Sequence, residues 1–148
     1  MIGENNSFIS INKDTLESIF SYFSVAKNEE GGALIIDERT NRLSFFIPLK
    51  NISQKPKEEY SFSFDELNKK LEQYLSANYR FAGIIHSHRL SITPSKNDLS
   101  FFENLYKENN YPFLVFPIIH TEKNNLKIKW FVLKNDIFEE IEVLETRF

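Results

Sequence analysis

Phe81-Ala-Gly-Ile-Ile-His-Ser-His-Arg-Leu-Ser-Ile-Thr-Pro-Ser-Lys-Asn-Asp98 is the stretch whose reading decides the fold. Its apolar start, Phe81 to Ile85, is too short and too β-rich for a helix and predicts a buried strand. Side chains alternate faces along a strand, so His86 and His88 share one face while Ser87 takes the other. Two imidazoles on one face at a strand tip are half of a metal site. Pro94-Ser95 closes the loop that follows, and Ser95-x-x-Asp98 has the form of a capping box opening a helix, which carries the carboxylate back toward the tip. Two nitrogens and one carboxylate leave a fourth tetrahedral position open, as catalytic zinc requires.

Each half also has a plain structural reading. A strand can carry two histidines for packing, and a capping aspartate can serve only its helix. Their joint occurrence, with Gly83 ahead of the pair and Pro94-Ser95 ahead of the aspartate, favours the metal site.

These residues resemble the JAMM (JAB1/MPN/Mov34) metalloprotease family, and within it the small prokaryotic members. The family signature is a distant glutamate, His-Ser/Thr-His, a short loop, then Ser, two residues and Asp; here it reads Glu29, His86-Ser87-His88 and Ser95-Lys-Asn-Asp98. Pro48-Leu-Lys-Asn-Ile-Ser53 and Ser61-Phe-Ser-Phe-Asp-Glu-Leu67 extend the likeness over most of the chain. Two positions depart from the pattern: Arg89 stands where proline is usual, and the loop to Asp98 is one residue shorter. The resemblance implies a single JAB/MPN-like (cytidine-deaminase-like) layered α/β domain over residues 1–148, with a mixed central sheet flanked by about three helices. It also implies zinc on His86, His88 and Asp98, Glu29 as general base, and Ser95 as a donor to the oxyanion. Glu29 is chosen over Glu30 because Glu29-Glu30-Gly31-Gly32-Ala33-Leu34 matches the family spacing of glutamate, two residues, glycine, a variable residue and an aliphatic one.

Composition narrows the alternatives. A chain of 148 residues with 41% hydrophobic content can bury a core without staples. A net charge of −3 with mixed signs offers no basic stripe, so nucleic acid is not an expected partner. Zero cysteines exclude thiolate metal sites, which agrees with a nitrogen and oxygen ligand set. Neither a signal core nor a membrane-spanning run is present, so a cytoplasmic protein without membrane contact is expected.

Ser7 to Ile11 alternates like a short edge strand, and a helix follows from Asn12 or Asp14 with Leu16, Ile19, Phe20 and Phe23 on one face. Ala33 to Ile36 reads as a buried strand, joined by the turn Asp37 to Asn41 to a second one over Arg42 to Ile47. The Ser63-Phe-Asp-Glu66 capping box predicts a helix ending near Asn78. A further helix continues from Asp98 until Pro112 forbids extension. Strands are expected over Phe113 to Ile119, Leu126 to Leu133 and Phe138 to Leu144. His120, at the end of one of these, reads as a strand-end residue and not as a fourth ligand.

The activity implied by the resemblance is zinc-dependent hydrolysis of an isopeptide or peptide bond at the C-terminus of a ubiquitin-like protein. Partners would be that protein or its conjugates, together with activating and conjugating enzymes encoded in the same operon. The alternatives are an inactive MPN-type scaffold, or a zinc peptidase acting on small peptides or sulfur-carrier adducts. Leu90 and Ile92 are expected either to touch the substrate or fold over it, with Arg89 near its backbone, or to tuck under the loop into the core.

Overall fold

The first predicted buried strand is β2, Gly31–Asp37, in a computed structural model that describes residues 9–76, 78–88, 94–109, 112–122 and 125–146. Every residue of β2 is buried. It pairs antiparallel on one side with β3, Arg42–Leu49, and on the other with β4, Tyr79–Ser87, which carries the histidines. A strand covered on both faces and both edges needs a near-continuous apolar sequence, which Ala33-Leu-Ile-Ile36 supplies.

β2 alternates between two cores. Leu34 and Ile36 pack with Ile19 and Phe23 of helix α1, Lys13–Ser24. Ala33 and Ile35 face the other way, toward Leu67 and Leu71 of α2, Phe64–Leu71, and Phe102 and Leu105 of α3, Lys96–Asn109. The sheet is thus a layer between α1 and the α2–α3 pair. The sheet itself is mixed. β4 runs parallel to β5, Phe113–Val115, and β6, Ile118–Glu122; both of these pair antiparallel with β7, Asn125–Lys134. β8, Ile137–Ile141, adds to β7; β1, Ser10–Asn12, lies parallel between β3 and β9, Leu144–Thr146. The expected architecture, α/β with a mixed sheet and three helices, is the one observed among the described residues.

One irregularity in β4 positions the site. Gly83 pairs with Leu34, but the next β2 residue, Ile35, pairs with Phe81, so Ala82 is an extra residue at a β-bulge. Phe81 and Ile84 lie in the α2–α3 core, whereas Ala82 and Ile85 lie in the α1 core, so the alternation changes phase at Gly83. A one-residue change of phase moves every later side chain to the opposite face. It turns the histidines that follow toward α3. Gly83 has φ +150°, and a Cβ there would lie 1.8 Å from the Val115 carbonyl oxygen. Only glycine fits.

Four expected boundaries are corrected. α2 stops at Leu71 instead of reaching Asn78, and a tight turn follows in which the Tyr74 and Leu75 amides both reach the Leu71 carbonyl. There the Tyr74 ring packs 5.2 Å from Phe45. The single strand read over Phe113 to Ile119 is divided by Pro117, which has no amide to donate. The last alternating stretch divides into β8 and β9, which pair with different strands. β1 is not an edge strand, because β9 covers its outer side.

Candidate functional site

At the tip of β4 three successive amides are fastened to neighbouring strands and loops. His86 donates to the Pro117 carbonyl (3.2 Å), Ser87 to Glu30 (2.8 Å) and His88 to Ile119 (3.0 Å). The His120 ring adds a bond from Nδ1 to the His88 carbonyl (3.0 Å), which, since a carbonyl only accepts, places a proton on that nitrogen. His120 is therefore a support for His88, as a strand-end residue. The imidazoles of His86 and His88 turn inward together, their Nε2 atoms 2.9 Å apart. The His86 ring lies 6.0 Å from Phe102 and stacks at 17° on Tyr60, whose hydroxyl donates to the Leu49 carbonyl (2.9 Å). Gly31 makes room for that stack, since a Cβ there would meet the Tyr60 ring at 2.5 Å.

The capping box at the start of α3 is formed as the spacing predicts. The Asp98 amide donates to Ser95 Oγ (3.1 Å), and the Ser95 amide donates to Asp98 Oδ2 (2.9 Å). Held in this way, the Asp98 carboxylate meets both rings: Oδ2 is 3.0 Å from His88 Nε2, and Oδ1 is 3.5 Å from His86 Nε2. The three potential ligand atoms lie within 4.8 Å of one another. Burial pushes the His86 imidazole down, against the pull of Asp98, and so favours the neutral form that can bind a metal. Burial would raise the Asp98 carboxyl, but hydrogen bonds to His86 and His88 outweigh it and hold the group well below the usual carboxylate range. Two nitrogens, one oxygen and no sulfur are a donor set that fits zinc.

The two glutamates ahead of β2 separate to opposite sides. Glu29 is buried and lines a cleft of about 520 Å³ together with His86, His88, Ser95 and Asp98. Glu30 instead accepts from the Tyr22 hydroxyl (3.2 Å) on α1, on the reverse face of the sheet. Its backbone exchanges bonds with Ser87, the residue that points away from the two histidines.

No family model matches the sequence, and no curated protein does. Solved structures do match it over nearly their whole length. A JAB1/MPN domain protein from Archaeoglobus fulgidus is 19% identical, with 96% of this chain and 100% of that one covered and a TM-score of 0.56. The chain has a JAB1/MPN fold. A protein from Desulfitobacterium hafniense has a TM-score of 0.70 at 23% identity, covering 95% of this chain and 94% of that one. One from Salinibacter ruber has a TM-score of 0.60 at 16% identity, with 93% and 92% covered.

In this JAB1/MPN fold all five sequence-derived candidates, Glu29, His86, His88, Ser95 and Asp98, border one cleft. Arg89, Leu90 and Ile92, expected to touch substrate, lie outside the described residues. Three contributors were not legible in the sequence. Tyr60 backs His86, Ser87 ties β4 to Glu30, and Asn51 gathers the loop beside Glu29. Of these only Ser87 sits inside a recognisable pattern. Tyr60 and Asn51 look like ordinary members of a polar loop until the chain is folded.

Proposed function

We propose that this chain belongs to the JAMM metalloproteases and hydrolyses an isopeptide or peptide bond at the C-terminus of a ubiquitin-like protein. The observation that carries the reading is the convergence of His86, His88 and Asp98 on one point within 4.8 Å, in a cleft that Glu29 also lines. Those three residues would hold zinc. When bound, zinc polarises a carbonyl and lowers the pKa of water toward neutrality. Glu29, beside the ligands and not one of them, takes the proton of the attacking water and later delivers it to the leaving amine. The Ser95 hydroxyl accepts from the Asp98 amide, which leaves its own proton to donate to the developing oxyanion. Phe62, Phe64, Phe101 and Phe102 form an apolar wall of the cleft, and its rim residues Lys57, Glu58 and Glu59 supply polar contacts.

The ubiquitin-like substrate, the companion activating and conjugating enzymes and a cytoplasmic site of action are part of the same proposal. No described helix is long and apolar enough to cross a membrane. Assaying the zinc-loaded chain against fusions to candidate ubiquitin-like proteins, with small peptides and sulfur-carrier adducts in parallel, tests the reading. Cleavage at the ubiquitin-like C-terminus that Glu29→Gln abolishes supports it; tight binding of the fusion without turnover would replace it with a scaffold role.

A further inference from the structure

Asn51 is a residue of the loop between β3 and α2, and its side chain joins three parts of the site. Its Nδ2 donates to the carbonyls of Glu29 (2.7 Å), Glu59 (2.8 Å) and, more weakly, Pro56 (3.3 Å). Its Oδ1 accepts from the amides of Ser53 (3.0 Å) and Ser61 (3.2 Å). Three carbonyls on one side and two amides on the other fix the orientation of the carboxamide, since reversing it would set oxygen against oxygen. The Pro56 carbonyl also accepts the Glu29 amide (2.8 Å), so both backbone groups of Glu29 are held, one directly by Asn51 and one through the loop that Asn51 gathers. Glu59 and Ser61 flank Tyr60, the residue stacked on His86. One carboxamide thus links the glutamate, the cleft wall and the support of a histidine.

We propose that Asn51 is a positioning residue that fixes Glu29 relative to the metal site. The proposal rests on the reading of Glu29 as the general base. A base must sit within hydrogen-bond reach of the proton it takes, and small displacements of positioned groups cost large factors in rate. Asn51 holds the Glu29 carbonyl directly, and the Glu29 amide through the Pro56 carbonyl, without touching the reacting atoms.

Two measurements test this, one independent of catalysis. In the metal-free full chain, Asn51→Ala should speed hydrogen exchange of the Glu29 amide by at least about tenfold while Ile84 and Ile85 of β4 stay protected. In the zinc-loaded chain it should lower kcat by at least about tenfold with zinc content unchanged. The same substitution added to Glu29→Gln should cost less than about twofold, because a residue acting through Glu29 has nothing left to position. Asn51→Asp keeps the shape and the acceptor but lacks the donors, and carries the same tests if the alanine variant does not fold. Unchanged exchange at Glu29, loss of zinc, or a full penalty persisting in the Glu29→Gln background would each overturn the proposal. A wild type that cleaves no substrate would instead overturn the reading of Glu29 as a base, while the exchange measurement still decides whether Asn51 holds it.

Discussion

Glu30 and Ser87 hold each other's backbone: the Glu30 amide donates to Ser87 Oγ at 2.8 Å, and the Ser87 amide donates to the Glu30 carbonyl at 2.8 Å. The clasp places Glu30 on the reverse side of the sheet and leaves Glu29, its neighbour, at the cleft. Adjacent identical residues therefore have different consequences when changed. Glu29→Gln should leave zinc bound and lower kcat by about 100-fold or more, in line with the loss of a general base. Glu30→Gln keeps an acceptor for Tyr22 and should change kcat less than about threefold. Parallel single-turnover assays check both; a severe loss with Glu30→Gln alone would reassign the base.

Asp98 serves its helix and the cluster at once, and the two roles separate by substitution. Asp98→Asn retains an oxygen for the Ser95 amide but loses the charge, so zinc affinity should fall at least about 100-fold, and the metal-free chain should lose the stability that the depressed Asp98 carboxyl contributes at neutral pH. Asp98→Ala also loses the oxygen that accepts the Ser95 amide, while Ser95 Oγ still caps the helix, and should cost about 1 kcal/mol more in that chain. His88→Ala should abolish zinc uptake while leaving the capping box intact. Elemental analysis of protein purified without chelator should give about one zinc per chain, and zinc should raise the melting temperature of wild type but not of His88→Ala.

What was legible in the sequence follows a physical division. The histidine strand, the Ser95 capping box and the buried β2 run are local patterns, and a local pattern determines its own element. Pro117 was equally visible, yet its consequence depended on β4 accepting two short parallel partners in place of one long one. The difference between Glu29 and Glu30 came from family spacing; its physical basis, the Ser87 clasp, joins residues 57 positions apart. Asn51 and Tyr60 reach the site through contacts with Glu29 and His86 that exist only in the folded chain, and no periodicity marks them.

Tyr22 provides a check on the reverse face that is independent of the metal. Burial, reinforced by the charge of Glu30 and its hydrogen bond, pushes the Tyr22 hydroxyl up to about 12. In the unfolded chain it titrates near 10, so between these values the unfolded state has lost a proton that the folded state keeps. The contribution is fully present below pH 10 and is lost as pH rises toward 12. Tyr22→Phe should therefore flatten the decline of melting temperature across that interval and leave the neutral-pH activity within about twofold. An unchanged alkaline slope would show that Tyr22 is not held against Glu30 in solution.

Gly83 is the position at which the fold and the site depend on one atom's absence. With φ +150° and the Val115 carbonyl oxygen 1.8 Å from where a Cβ would stand, Gly83→Ala cannot be absorbed by moving a flexible side chain, because the obstacle is backbone. Relief requires β4 and β5 to part or the bulge at Ala82 to slip. If they part, the cost is that of a strained and overpacked core, about 2–4 kcal/mol. If the bulge slips, the phase of the strand reverses and the histidines turn away from Asp98. The two routes differ in what survives. Parting should lower the melting temperature while the folded fraction still binds zinc; slippage should give a folded chain that binds none. Denaturant unfolding followed by zinc titration of Gly83→Ala distinguishes them, and a variant with wild-type stability and zinc affinity would show that the bulge does not aim the histidines.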